Sequence, residues 1–93
     1  METRLQQVSR ILNYAAKLHG TTAQAIASRS QADNVVLARN EACHTMRQLL
    51  NLYDIRIAHY VGFRKVSSVL RARRRFRAWI AVNNRPVQPS AKD

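Results

Sequence analysis

DIRIAHYVGFRKVSSVLRARRRFRAWI, residues 54–80, is the stretch whose reading decides the fold. Asp54 can cap a short helix, Ile55 to Tyr60, whose Ile57 and Ala58 point inward together with the following Val61. Gly62 then turns the chain, and a longer helix starts near Lys65. On it Val66, Val69, Ala72, Phe76, Trp79 and Ile80 recur at helical spacing, so one face packs. Lys65, Ser68, Arg71, Arg74, Arg75 and Ala78 take the opposite side, which becomes a basic rail.

Upstream the same periodicity predicts three more helices. Thr3 to Leu18 carries Leu5, Val8, Leu12 and Ala15 as one stripe and is stopped by Gly20. That stripe suits either packing within the chain or the seed of a homodimer. A short turn, Ala23 to Ala27, follows the capping pair Thr21 and Thr22, and a polar basic loop runs from Ser28 to Gln31. The central helix is expected from Asp33, its N-cap, to Leu52, with Val36, Ala42, Cys43, Met46, Leu49, Leu50 and Tyr53 on the buried side. With 46% hydrophobic residues and only 2 Gly and 2 Pro, the chain reads as one all-α bundle, residues 1–82. A flexible tail, Asn83 to Asp93, is marked by Pro86 and Pro89.

Charge narrows the function. The 93 residues hold 16 Lys and Arg against 5 Asp and Glu, a net charge of +11 and a pI of about 11.5. No acid lies between Ile55 and Lys92, whereas Arg64, Lys65, Arg71, Arg73, Arg74, Arg75 and Arg77 crowd one short segment. Such a balance points first to nucleic acid, and second to an anionic membrane surface or an acidic protein. No run approaches the roughly 20 apolar residues that span a bilayer, and residues 1–10 do not read as an export signal, so no membrane partner is expected. The single Cys43 cannot close an intramolecular disulfide, which fits a reducing cytoplasm and a nucleoid-associated protein.

Catalysis and metal binding lack a pattern. His19, His44, His59 and Cys43 have no paired ligand spacing, and Cys43 and His44 point about 100° apart on a helix. Glu2, Asp33, Glu41, Asp54 and Asp93 are scattered, and no nucleophile has a local base. The expectation is therefore no enzyme, no cofactor and no metal.

Two helices joined by a Gly turn, the second opening with small polar and basic residues, form the pattern of a helix-turn-helix, here about residues 54–80. A family resemblance points the same way. VLARNEA at 36–42, then Met46 and Leu50, Ile57 and Ala58, and GFRKVSSVLRA at 62–72 together resemble the C-terminal DNA-binding domain of the bacterial replication initiator DnaA. That domain shares its fold with the Trp repressor superfamily. In it an Ala-Arg-x-x-Ala helix precedes an Ile-Gly helix and a Gly-Arg-Asp-His-Thr-Thr-Val-Leu-His-Ala recognition segment. The resemblance covers about Ala23 to Ile80.

It implies double-stranded DNA as partner. Arg64 matches the family's turn arginine, and Ser67 and Ser68 its threonine pair. Val69, Leu70 and Ala72 match core positions, and Arg71 stands where the family has a phosphate-contacting histidine. Arg39 resembles the arginine that touches the DNA backbone, and Arg29 falls in the loop that sends an arginine into the minor groove. With the charge pattern, this assigns Lys65, Ser67, Ser68 and Arg71 to the major groove. Arg39, Arg64, Arg74 and Arg75 are assigned to phosphates, and Arg29 to the minor groove. Arg39 also sits near the buried stripe, where bonding to Asp54 or a backbone carbonyl competes with a phosphate contact. Arg73 and Arg77 flank the apolar face and can snorkel. Trp79 and Phe76 read as core.

Lys65 and Val66 replace the family's Asp-His pair, so a different target sequence is expected. Ala58 replaces a glycine, and the turn before Ile55 is one residue shorter. A Gly-rich phosphate loop is absent from the sequence, so no ATP-driven origin melting is expected. The resulting expectation is a bacterial or phage regulator of transcription or replication, with or without a replication or transcription protein as partner. A non-specific nucleoid or RNA-binding protein, or an initiator-like antagonist that binds protein, is the alternative.

Overall fold

Thr3 opens the first helix through a reciprocal cap. Its hydroxyl accepts from the Gln6 amide at 3.1 Å, and its own amide donates to Gln6 Oε1 at 2.8 Å. The computed structural model describes residues 1–83, and within them five helices follow one another: α1 (Arg4–Leu18), α2 (Ala23–Ile26), α3 (Asp33–Leu50), α4 (Asp54–Val61) and α5 (Val66–Asn83). No strand occurs among the described residues, so the all-α class expected from periodicity is the class observed. No helix is long and apolar enough to cross a membrane.

Helix boundaries follow local chemistry, with small shifts from the sequence reading. Thr22 caps α2 by accepting from the Ala25 amide at 3.1 Å. Asp33 and Asp54 are not N-caps: each is the first helical residue, after Ala32 and Tyr53, and neither of these makes a side-chain cap bond. A carboxylate in the first turn still meets the positive end of the helix dipole. The central helix ends before Leu52 because Asn51 adopts a left-handed conformation (φ 52°), which its short polar side chain tolerates. Arg47 then donates to the Leu52 carbonyl at 3.0 Å and ties the exit down. At the far end Asn83, expected in the tail, closes α5 by donating to the Trp79 carbonyl at 2.8 Å. The rest of that expected tail, with Pro86 and Pro89, lies outside the described residues.

The core forms around α3, which packs against each of the other four helices. Val8, Ile11, Ala15 and Ala16 come from α1, Ile26 from α2, Ile57, Ala58 and Val61 from α4, and Val69, Ala72, Phe76 and Ile80 from α5. They close on Val35, Ala38, Ala42, Cys43 and Met46. Residues 38–46 are buried all round rather than along a stripe. The stripe expected at the end of this helix does not hold, because its last turn leaves the bundle: Leu49 is 47% exposed and Tyr53, beyond it, 74%. Likewise the first turn of α1 is open to solvent, with Leu5 67% exposed, while Val8, Leu12 and Ala15 pack inside the chain. Val66, at the start of α5, is also exposed, and Trp79 is half-buried.

Polar groups inside this core are matched across helices. His19 Nε2 lies 2.7 Å from Glu41 Oε1, both side chains almost wholly buried, and the His19 ring meets Trp79 edge-on at 5.8 Å. This one cluster links α1, α3 and α5. On α5, Arg73 reaches back to Asp54 at 3.0 and 3.2 Å, fastening α5 to the start of α4. His44 packs its ring 5.1 Å from Phe76.

Candidate nucleic-acid interface

The loop between α2 and α3 is short, polar and internally bonded. Ser28 donates its hydroxyl to the Ala25 carbonyl at 2.6 Å, the Ser30 amide donates to Ser28 Oγ, and the Ala32 amide to Ser30 Oγ. These turns use serine hydroxyls in place of backbone acceptors. Arg39 reaches out of α3 beneath the loop. Its Nε donates to the Ile26 carbonyl at 2.8 Å, and its Nη2 to the carbonyls of Ser28 at 2.9 Å, Ser30 at 3.2 Å and Ala25 at 3.4 Å. Only 4% of Arg39 is exposed, and burial pulls its pKa below the usual arginine value. Nε and Nη2 of Arg39 thus take the backbone-carbonyl role that competes with a phosphate contact, while the residue also lines the cleft beside the loop. Asp54, the other partner considered for it, belongs to Arg73.

The loop in turn abuts the α4–α5 connection. Gly62 has φ +79°, and a Cβ built there would sit 2.6 Å from the Ala27 carbonyl oxygen. Only glycine allows this approach. Around this contact lie two adjoining clefts, the lobes of one basic groove, whose walls share Gln31, Arg39 and Phe63. One lobe adds Ser28, Arg29, Val61, Gly62 and Arg64. The other adds Val36, Asn40, Ser68, Arg71, Ala72 and Arg75. No acidic residue lines either lobe.

Of the residues singled out from sequence, Arg29, Arg64, Ser68, Arg71 and Arg75 share this groove, and Arg39 lines both of its lobes. Lys65, Ser67 and Arg74 are exposed on the same segment but do not line it. Gln31, Asn40 and Phe63 line it without having been singled out. Gln31 was recognisable as part of the polar loop, whereas Asn40 and Phe63 carry no signal of their own. Acids near the N-terminus and in the bundle are engaged elsewhere: Glu2 with Arg10, Glu41 with His19, Asp54 with Arg73. Among the described residues no cluster of His, Cys, Asp or Glu is arranged to hold a metal ion.

Fold and groove together define a small, strongly basic helical protein with an acid-free cationic cleft. Comparison with known families, curated proteins and solved structures gives no significant match.

Proposed function

We propose that the chain binds double-stranded DNA through a helix-turn-helix formed by α4, the turn at Gly62 and α5, as a bacterial or phage regulator of transcription or replication. The observation that carries this reading is the groove of Arg29, Arg64, Arg71 and Arg75 with no acid among its walls. A phosphate backbone is the ligand that rewards such a cleft, since each neutralised phosphate releases condensed counterions. The start of α5 fits the same partner. Lys65 and Ser67 are exposed there, Ser68 and Arg71 face the groove, and the first turn holds no acid that would repel a phosphate. Ser67, Ser68, Lys65 and Arg71 enter the major groove, where short hydroxyls and long cations can meet base edges. Arg29 reaches the neighbouring minor groove, and Arg64, Arg74 and Arg75 hold phosphates.

The experiment is electrophoretic binding to duplex DNA at a series of salt concentrations. About seven phosphate contacts give a log–log slope of about −6, and Arg64→Ala or Arg75→Ala should each flatten it by about 0.9. Negligible affinity at low salt refutes the reading. The exposed Arg74 and Arg77, outside the groove, favour a second reading as a non-specific nucleoid or RNA-binding protein. Selection of bound fragments from random DNA separates the two: a motif marks base readout, a flat profile marks the second. Sedimentation with and without selected DNA then determines whether two copies pair on adjacent half-sites.

A further inference from the structure

We infer that Arg39 is a positioning residue for the DNA groove: by gathering the carbonyls of the 25–30 segment it fixes Arg29 against the turn that carries Arg64. This rests on the DNA reading above and adds to it a division of labour between a buried arginine and an exposed one.

The geometry is specific. One guanidinium serves four carbonyls spread over six residues of chain, at 2.8 to 3.4 Å. A planar fork with several donors can span that arc; the compact ammonium of a lysine cannot. Buried as it is, Arg39 has no carboxylate partner among the described residues, and desolvation disfavours its charge. So costly a placement needs a return beyond holding up the core, which already closes on apolar side chains. The return lies in the loop. The same segment also lies close against the glycine turn, where a Cβ on Gly62 would meet the Ala27 carbonyl oxygen at 2.6 Å, so the loop that Arg39 holds abuts the α4–α5 connection. Arg29, exposed on that segment, shares a groove lobe with Arg64. Left untethered, Arg29 would have to be ordered anew at each binding event.

A double-mutant cycle read by DNA affinity tests this, at a temperature where every variant is shown to be folded. Arg29→Ala and Arg39→Lys should each weaken binding about tenfold, and the double variant also about tenfold rather than a hundredfold, because Arg39 acts through Arg29. Arg39→Lys keeps the charge, so unchanged affinity, or losses that multiply, overturns the inference. Amide relaxation on the unmodified protein gives an independent readout that needs no variant to fold. Residues 28–32 should show order parameters near 0.85, as in the helices, and values below about 0.6 overturn it. Where the wild-type chain binds no duplex DNA but the loop is rigid in that measurement and loosens in Arg39→Lys, the DNA reading fails and the tether stands.

Discussion

Gly20 and Gly62 form a natural pair for measuring what the loop contact contributes. Both adopt left-handed backbone, φ +69° and +79°, so alanine at either position meets the same intrinsic penalty of about 1 kcal/mol. They differ in surroundings. A Cβ at Gly20 meets nothing within 4 Å, whereas one at Gly62 meets the Ala27 carbonyl oxygen at 2.6 Å. That oxygen cannot retreat cheaply, since the carbonyls on either side of it, Ile26 and Ser28, are held by Arg39. Relieving the overlap means shifting backbone by several tenths of an ångström or breaking one of those bonds, a further cost of about 2 kcal/mol. Gly20→Ala should thus lose about 1 kcal/mol and Gly62→Ala about 3 kcal/mol. For a domain of this size the corresponding drops in Tm are about 4–8 °C and about 12–24 °C. Urea unfolding followed by far-UV circular dichroism, both variants side by side, provides the comparison. Equal losses, within about 0.5 kcal/mol, would refute the argument that loop and turn are in hard contact.

Cys43 is fully buried, and burial pushes its thiol up to about 12, so a thiol-directed disulfide reagent at pH 8 should leave the folded protein unlabelled and react fully in urea. Labelling of the native protein at the rate of a free thiol would contradict this. His44 has its pKa lowered from 6.5, by burial first and then by Arg77 and Arg73. The unfolded chain therefore takes up a proton that the folded chain resists, so its contribution to stability is complete above pH 6.5 and declines as pH falls below it. His44→Gln should flatten that part of the urea-midpoint profile between pH 7.5 and 5.5; parallel profiles for the two proteins would exclude His44 as the cause. Asp54→Asn removes the carboxylate that Arg73 grips and should cost about 1 kcal/mol at low salt, less at high salt, as read by denaturant midpoint. No salt dependence of that difference would mean the pair contributes through packing alone.

The helices were legible in sequence where side chains repeat with an intact period. Val69, Ala72, Phe76 and Ile80 mark the inner face of α5, and Ser68, Arg71 and Arg75 its outer one, all readable from spacing. Leu49 and Tyr53 fit the buried stripe by phase but stand exposed, because apolar character and helical phase say nothing about where a helix leaves its bundle. Asp33 and Asp54 suit an N-cap by sequence yet stand one position further in, since a carboxylate fits an N-cap and a first turn almost equally. Arg39 and Arg73 show the deeper difficulty. Their partners, the 25–30 carbonyls and Asp54, lie 9 to 14 and 19 residues away and become neighbours only once α3 and α5 have packed. A cation that lines a groove and a cation that braces one look alike in a linear string.

The placement of α3 has a consequence for dissection of the molecule. Since every other helix leans on it, no cut divides the chain into two self-sufficient parts. Scission at the exposed Asn51 turn would leave one piece with α1, α2 and the shared axle, and another with α4 and α5 deprived of what they lean on. The second piece would regain its packing only on docking to the first, which makes the domain a candidate for a split reporter whose reassembly restores the groove.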